Sequence, residues 1–140
     1  GAELIRFMQQ ATWAVFNDYE FQLLQQRTDK GAPELSRLVD ALIVTKGGKG
    51  SSIYTANGQI DIPIAKPAVV KDPTGCGDAY RAGLLYGLMS GLDWETTGRV
   101  AALLGALKIE QHGTQNHCFT KDEFAERFND SFGYELLLSA

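Results

Sequence analysis

The chain has 140 residues, 44% of them hydrophobic and 21% charged, a composition typical of one soluble globular domain. It carries 13 Lys and Arg against 17 Asp and Glu, for a net charge of −4 without a basic block, so binding to nucleic acid is disfavoured. No apolar run approaches the roughly 20 residues that span a bilayer, and the 2 cysteines lack metal-ligand spacing, so we expect a cytoplasmic protein without a membrane partner.

The first half of the chain alternates helical and strand patterns. Leu4, Ile5, Met8 and Ala11 recur on one helical face, which predicts a helix over residues 3–11. The elements predicted after it are a buried strand at 12–16, helices at 19–26 and up to about residue 39, and a second buried strand at 41–45.

The second half begins with a hairpin signal, the dipeptide Asn57-Gly58 between two strand-like runs. Ala79, Gly83 and Gly87 lie four residues apart, a stripe of small side chains that permits close packing of one helix. The predicted elements are hairpin strands at 52–56 and 59–64, a third buried strand at 68–71, and helices at 77–90, after Asp93 and after Thr120.

Buried strands that alternate with helices predict an α/β fold. We expect a three-layer, doubly wound and mainly parallel sheet with an antiparallel hairpin at one side. The pattern predicts a single α/β segment over residues 1–140. Because the chain opens at Gly1 without an initiator Met and enters a helix directly, we expect it to be truncated at its N-terminus.

The stretch Asp72-Pro73-Thr74-Gly75-Cys76-Gly77-Asp78 carries the clearest chemistry in the chain. Glycines at such a turn let N–H groups point at one spot, and the following helix adds its positive N-terminal end, so the turn predicts an anion hole. Asp78 beside it is a candidate general base for phosphoryl transfer to a hydroxyl. The structural alternative is that Asp78 only complements the helix dipole and that Gly-Cys-Gly is only a tight turn.

Two weaker polar motifs follow the first two predicted strands. Residues 45–50 have the composition of a phosphate loop without the order of a P-loop, and they are equally compatible with a plain turn. Asn17 and Glu20 lie one helical turn apart and are placed to order a water or a Mg²⁺-bound phosphate; the alternative is that Asn17 or Asp18 simply caps the helix. Because ligands bind beyond the carboxyl ends of strands in such sheets, the shared placement of three motifs predicts a nucleotide or phosphate site.

With these residues assembled, the chain resembles the ribokinase-like (PfkB-type) carbohydrate kinases. Residues 72–80 with Ala82-Gly83 are similar to the C-terminal signature of that family, 17–20 to its Asn-x-x-Glu motif and 45–50 to its nucleotide loop. The match runs over nearly the whole chain but corresponds to about the C-terminal half of a typical member. Within the family, the chain looks most like bacterial adenosine kinase-type members, although Cys76 and Arg81 depart from the usual residues.

The resemblance implies a role for each matching residue. Asp78 would deprotonate the acceptor hydroxyl, while the N–H groups of Gly75, Cys76 and Gly77 would hold the transferring phosphoryl group. Asn17 would contact ATP phosphate, Glu20 would organise Mg²⁺ and its waters, Thr45, Gly47 and Gly50 would line the nucleotide site, and Ala101 would lie near the adenine. In members that use a monovalent cation such as K⁺, the resemblance places it near Asp72 and the Thr74 carbonyl, with further carbonyls around Lys108 and Gly113.

The implied function is that of an ATP-dependent kinase acting on a hydroxyl of a nucleoside or sugar, with adenosine favoured over ribose. A second hypothesis is a catalytically incomplete nucleotide-binding fragment, whose surface beside the missing half would invite self-association. A third is an interaction domain with a degenerate site, against which the retained Asp78 and its glycine turn argue.

Overall fold

The computed structural model describes residues 1–112 and 119–137. Contacts divide the chain into two compact units, Gly1–Ile62 and Pro63–Ala140, which are described separately. The first unit contains α1 (Ala2–Gln10), β1 (Trp13–Asn17), α2 (Asp18–Thr28), α3 (Ala32–Ser36), β2 (Ala41–Thr45), β3 (Ser51–Thr55) and β4 (Gly58–Ile62). The second contains α4 (Cys76–Met89), α5 (Trp94–Ile109) and α6 (Lys121–Phe132).

In the first unit, helices pack on a four-stranded sheet with the strand order β1-β2-β3-β4. Strands β1 and β2 are parallel, whereas the pairs β2–β3 and β3–β4 are antiparallel. β2 is the buried centre of the unit, since Leu42 and Val44 pack with Phe21, Leu24 and Leu35 of the helices. The continuous apolar run of β2 is therefore explained by burial of both of its faces.

The α/β class is confirmed, but the described sheet is mixed rather than mainly parallel. The third predicted strand, 68–71, is wrong, because this segment is irregular. Its N–H groups bond to the end of α5 instead of to a strand: Ala68 N donates to Glu110 Oε1 at 2.8 Å, and Lys71 N donates to Ile109 O at 2.8 Å.

The predicted hairpin is confirmed with its turn one residue earlier than expected. Thr55 pairs with Gly58, so Ala56 and Asn57 form the two-residue loop. Gly58 takes a φ of 118° as the first residue of β4, a conformation that a residue with a side chain rarely adopts. The glycine thus serves the entry into the strand rather than the centre of the turn.

In the second unit, α4 and α5 lie in close contact through the predicted stripe of small residues. A Cβ added at Gly83 would lie 2.5 Å from Ala101 Cα, and one at Gly87 would lie 2.6 Å from Thr97 Oγ1. Helix α6 also packs on α5, through Phe124 and the fully buried Phe128. Among the described residues, the apolar helices are too short or too polar to cross a membrane.

Candidate active site

Two of the three predicted motifs are brought together in the first unit. Asn17 ends β1 and Thr45 ends β2, and these two residues are register partners in the parallel pair. Because β1 and β2 run in the same direction, α2 and the loop after β2 both begin at the same edge of the sheet. The prediction that these motifs share one rim is confirmed for this pair.

Asn17 and Glu20 form a reciprocal capping box at the start of α2. The Asn17 Oδ1 accepts from Glu20 N at 2.7 Å, and Glu20 Oε2 accepts from Asn17 N at 2.9 Å. The structural alternative for this pair is therefore realised. Both residues remain exposed, and Glu20 uses one carboxylate oxygen in the cap, which fits a Mg²⁺ ion that keeps most of its waters.

The loop after β2 is a short 3₁₀ turn, Gly47–Lys49, closed by main-chain bonds. Lys46 N donates to Gly50 O at 2.8 Å, and Gly50 N donates to Gly47 O at 3.2 Å. Gly47 and Gly50 have φ values of 57° and 84°, and a Cβ on Gly47 would meet no atom within 4 Å. The main chain of the loop is therefore open to solvent. A phosphate or sugar that approached the loop closely would require such an open main chain.

A polar network behind this loop was missed by the sequence analysis. Lys46 Nζ donates to Ser52 Oγ at 2.6 Å, Ser52 Oγ to Asp61 Oδ1 at 2.8 Å, and Gln59 Nε2 to the same oxygen at 2.9 Å. Hydrogen bonds from Gln59 and Ser52, and the charge of Lys46, lower the pKa of Asp61. Ser52 and Asp61 are cross-strand partners, so the signal was a polar pair facing each other across the hairpin.

In the second unit, the Asp72–Asp78 stretch makes a tight turn into α4. Thr74 N donates to Asp72 Oδ1 at 2.9 Å, and Cys76 N donates to Pro73 O at 3.2 Å. Gly75 caps the helix with a φ of 79°, and the position of Gly77 is open, with no atom within 4 Å of an added Cβ. Since the Cys76 N–H is used inside the turn, Gly77 is the more accessible of these two positions for an anion.

Asp78 lies in the first turn of α4 and faces solvent. Its side chain is 87% exposed, and its carboxylate lies 3.6 Å from the Arg81 guanidinium one turn later. An exposed pair of this kind contributes little to stability. Asp78 is therefore an accessible acid beside a helix N-terminus, as the general-base prediction requires.

Cys76 is turned away from that opening and packs on α5. Its Sγ donates to Gly105 O at 3.3 Å, and burial raises the pKa of the Cys76 thiol, which the nearby Lys108 ammonium partly offsets. A raised pKa disfavours the reactive thiolate, so the side chain acts as packing.

Ala101 also lies inside the helix pair without exposed surface, and its proposed nearness to adenine stays a prediction. Gly113, proposed near the monovalent cation, and Cys118, the second cysteine, lie outside the described residues.

The second unit also has a cavity of about 380 Å³ between α5 and α6. Its lining includes four carboxylate side chains, those of Glu110, Glu123, Glu126 and Asp130, and the guanidinium of Arg127. Arg127 is already paired with Glu110, at 2.7 Å from Nη2 to Oε1. Because its lining is acidic, this cavity does not suit a phosphate, and none of the predicted site residues lines it.

Comparison with known proteins identifies the protein family that this chain resembles. A family model described as "pfkB family carbohydrate kinase" matches residues 2–122. The nucleoside kinase of Methanocaldococcus jannaschii is 38% identical over 124 residues, 89% of this chain and 41% of the relative. A structure of the nucleoside kinase of Burkholderia thailandensis in complex with ADP-inosine superposes with a TM-score of 0.94 at 45% identity, covering 99% of this chain and 44% of that one.

A solved nucleoside kinase of M. jannaschii, described as an archaeal member of the ribokinase family, gives a TM-score of 0.87 at 37% identity over 91% of this chain and 42% of its own length. The fold prediction, an α/β segment of the ribokinase-like fold, is thereby confirmed. The chain spans less than half the length of these relatives.

Proposed function

We propose that this chain, which belongs to the pfkB family of carbohydrate kinases, carries the nucleotide-binding and catalytic part of an ATP-dependent nucleoside kinase. The observation that carries the proposal is the exposed Asp78 beside the open Gly77 position at the N-terminus of α4. An alcohol holds its proton tightly at neutral pH, so a carboxylate that accepts the proton during attack contributes roughly 10²–10⁴-fold. The similarity to nucleoside kinases supports the acceptor class.

In this proposal the second unit performs the transfer and the first unit holds the nucleotide. The N-terminal dipole of α4 and the open main chain at Gly77 stabilise the charge of the transferring phosphoryl group. Thr45, Gly47 and Gly50 line the nucleotide, and Asn17 contacts its phosphates. Glu20 holds Mg²⁺ through its waters, and the ion, when bound, neutralises phosphate charge.

The acceptor in the proposal is a purine nucleoside. The sequence resemblance favours adenosine, while the neighbouring nucleoside kinase of B. thailandensis was solved with ADP-inosine. Both nucleosides present a ribose hydroxyl to the same catalytic carboxylate. They differ only in the contacts that the protein makes with the purine ring. Ribose and other sugars remain the alternative acceptors.

A catalytically incomplete nucleotide-binding fragment is the second candidate, because the chain covers only 41% of one relative and 44% of another.

A fragment of such a kinase would also self-associate through apolar surface that the rest of the protein would otherwise cover. Helix α4 has an exposed apolar patch of this kind, because Leu85, Tyr86 and Met89 expose 53%, 42% and 86% of their surface. A second copy of the chain would cover this patch. Sedimentation velocity over a concentration series would detect the dimer, and a monomer at every concentration would exclude it.

The test combines ATP binding and turnover. Calorimetry measures ATP affinity with and without Mg²⁺, and a coupled assay measures ADP production with adenosine, inosine and ribose. ATP binding with turnover on a nucleoside supports the kinase, and ATP binding without turnover on any acceptor supports the fragment. Absence of ATP binding would overturn both candidates.

A further inference from the structure

Lys108 has a long cationic side chain without any exposed surface. It lies in the last turn of α5, and its Nζ donates to Gln111 O at 3.5 Å, the outer limit of a hydrogen bond. Burying an ammonium is costly unless other groups compensate its charge. The carbonyl end of a helix provides such compensation, because it carries a partial negative charge.

The same end of α5 holds the turn that leads to Asp78. Ile109 O accepts hydrogen bonds from Lys71 N at 2.8 Å and from Asp72 N at 3.1 Å, at the start of the turn. At the other side of the turn, Gly105 O accepts from Cys76 Sγ, and a Cβ on Gly105 would lie 3.5 Å from that sulfur. Lys108 follows Gly105 by three residues and therefore shares its face of α5.

The described residues at this place do not fit the monovalent cation that the family resemblance implies. One oxygen of the Asp72 carboxylate, Oδ1, accepts a hydrogen bond from Thr74 N at 2.9 Å inside the turn itself. Of the described carbonyls near Lys108, that of Gln111 already accepts a hydrogen bond from the Lys108 ammonium, so a positive charge is present beside it. A second positive charge placed there would be repelled in a site sheltered from water.

We propose that Lys108 is a positioning residue whose buried ammonium, in place of a bound monovalent cation, holds the Asp72–Asp78 turn against α5. The ammonium contacts Gln111 O just beyond α5 and places a positive charge at the carbonyl end of this helix, the same end at which Ile109 O holds the start of the turn. The turn then needs no K⁺ to keep its shape. This inference rests on the proposed function only for the consequence that Asp78 and Gly77 stay in position for phosphoryl transfer.

The test measures thermal unfolding of the whole chain in KCl, NH₄Cl and choline chloride at equal ionic strength. The wild type is expected to unfold at the same temperature in all three salts. Lys108→Ala removes the ammonium and leaves space, so its unfolding temperature should be lowest in choline chloride and should rise in a saturable way with K⁺ or NH₄⁺. Lys66→Ala, a change at an exposed lysine of the same unit, should behave as the wild type.

A kinetic readout separates positioning from general stability. In an active protein that contains this segment, Lys108→Met should lower kcat by roughly 10²-fold, with little change in the KM for ATP, because the turn is misplaced. Added NH₄⁺ should restore part of kcat for Lys108→Ala. A Lys108→Met variant with wild-type kcat would contradict the positioning role.

A wild type stabilised by K⁺ but not by choline, or a Lys108→Ala variant indifferent to all three salts, would overturn the proposal. Should Lys108→Ala not fold, Lys108→Met and the wild-type titration still decide the matter. Because unfolding requires no nucleotide, failure of ATP binding would defeat the proposed function without affecting this result.

Discussion

The candidate polar residues of the first unit are hydrogen-bonded to one another, whereas the main candidate of the second unit, Asp78, is largely exposed and has only a loose ion pair with Arg81. Asn17 and Glu20 cap α2 reciprocally, and Lys46 is held by the Ser52–Asp61 pair. Asp78, by contrast, exposes 87% of its side chain in the first turn of α4, a helix that packs closely on α5 at Gly83 and Gly87. The difference teaches that a candidate binding surface can consist of saturated local structure, while a candidate proton acceptor must keep its oxygen atoms accessible.

The largest expected effect comes from Asp78→Asn in an active protein that contains this segment. The amide cannot accept the hydroxyl proton, so kcat should fall by about 10²–10⁴-fold while the affinity for ATP changes little. Steady-state kinetics and calorimetry measure the two quantities. Asp122→Asn, which changes an exposed acid in the first turn of α6, is the matched control and should retain activity. If Asp78→Asn kept near wild-type turnover, Asp78 would not be the general base, and the second unit would no longer differ from the first in holding an accessible catalytic acid.

The next effect concerns the packing behind Asp78. Gly83→Val should destabilise the chain by about 1–3 kcal/mol, because its side chain would overlap the main chain of Ala101 across the α4–α5 contact. Ala82→Val places the same side chain on the exposed face of α4 and controls for helix propensity. Urea unfolding should show a lower midpoint for Gly83→Val alone. Equal midpoints for the two variants would mean that the close helix contact is not required.

A smaller effect separates capping from nucleotide binding in the first unit. Asn17→Ala and Thr120→Ala each remove the cap of a capping box, so each should cost about 1 kcal/mol of stability. If Asn17 also contacts ATP phosphate, only Asn17→Ala should weaken ATP binding. Unfolding and calorimetry on both variants measure this. Equal ATP affinities would leave Asn17 with a purely structural role.

The smallest effect is a pH dependence in the second unit. Hydrogen bonds from Arg127 and from Ala68 N lower the pKa of Glu110 below its ordinary 4.5. A lowered pKa means that this interaction stabilises the folded state above pH 4.5 and is lost as the pH falls through the depressed pKa. Glu110→Gln should therefore show a shallower loss of stability on acidification than the wild type.

Thermal unfolding from neutral to acidic pH measures this slope. Glu126→Gln changes an exposed carboxylate of α6 and should follow the wild-type curve. A Glu110→Gln curve parallel to that of the wild type would show that the Arg127 pair does not contribute to acid sensitivity.

Most of the elements could be predicted because their signals are local. The capping pairs Asn17 with Glu20 and Thr120 with Glu123, and the apolar run of β2, each depend on residues near in sequence. The failed strand at 68–71 shows the limit of such signals. Its apolar pattern is that of a strand, but its N–H groups are satisfied by Ile109 and Glu110, some forty residues away.

Part of the candidate site could likewise be predicted from local sequence signals, and part of it could not. Glycine turns and an acid in the first turn of a helix are readable from the chain, and so is the adjacency of Asn17 and Thr45, because parallel strands place their carboxyl ends at one edge. The Lys46–Ser52–Asp61 network was not anticipated, since it depends on the register of the hairpin. Whether the Asp72–Asp78 turn meets the first two motifs stays a prediction.

The sequence by itself determined the α/β class and the family, and it identified the candidate residues for phosphoryl transfer, because glycine, proline and capping residues act on their immediate neighbours. Only the tertiary structure decided that Cys76 is packing and that Lys108 is buried beside the turn that carries Asp78. Burial and the compensation of a charge depend on groups distant along the chain, and they are settled only when helices such as α4 and α5 come together.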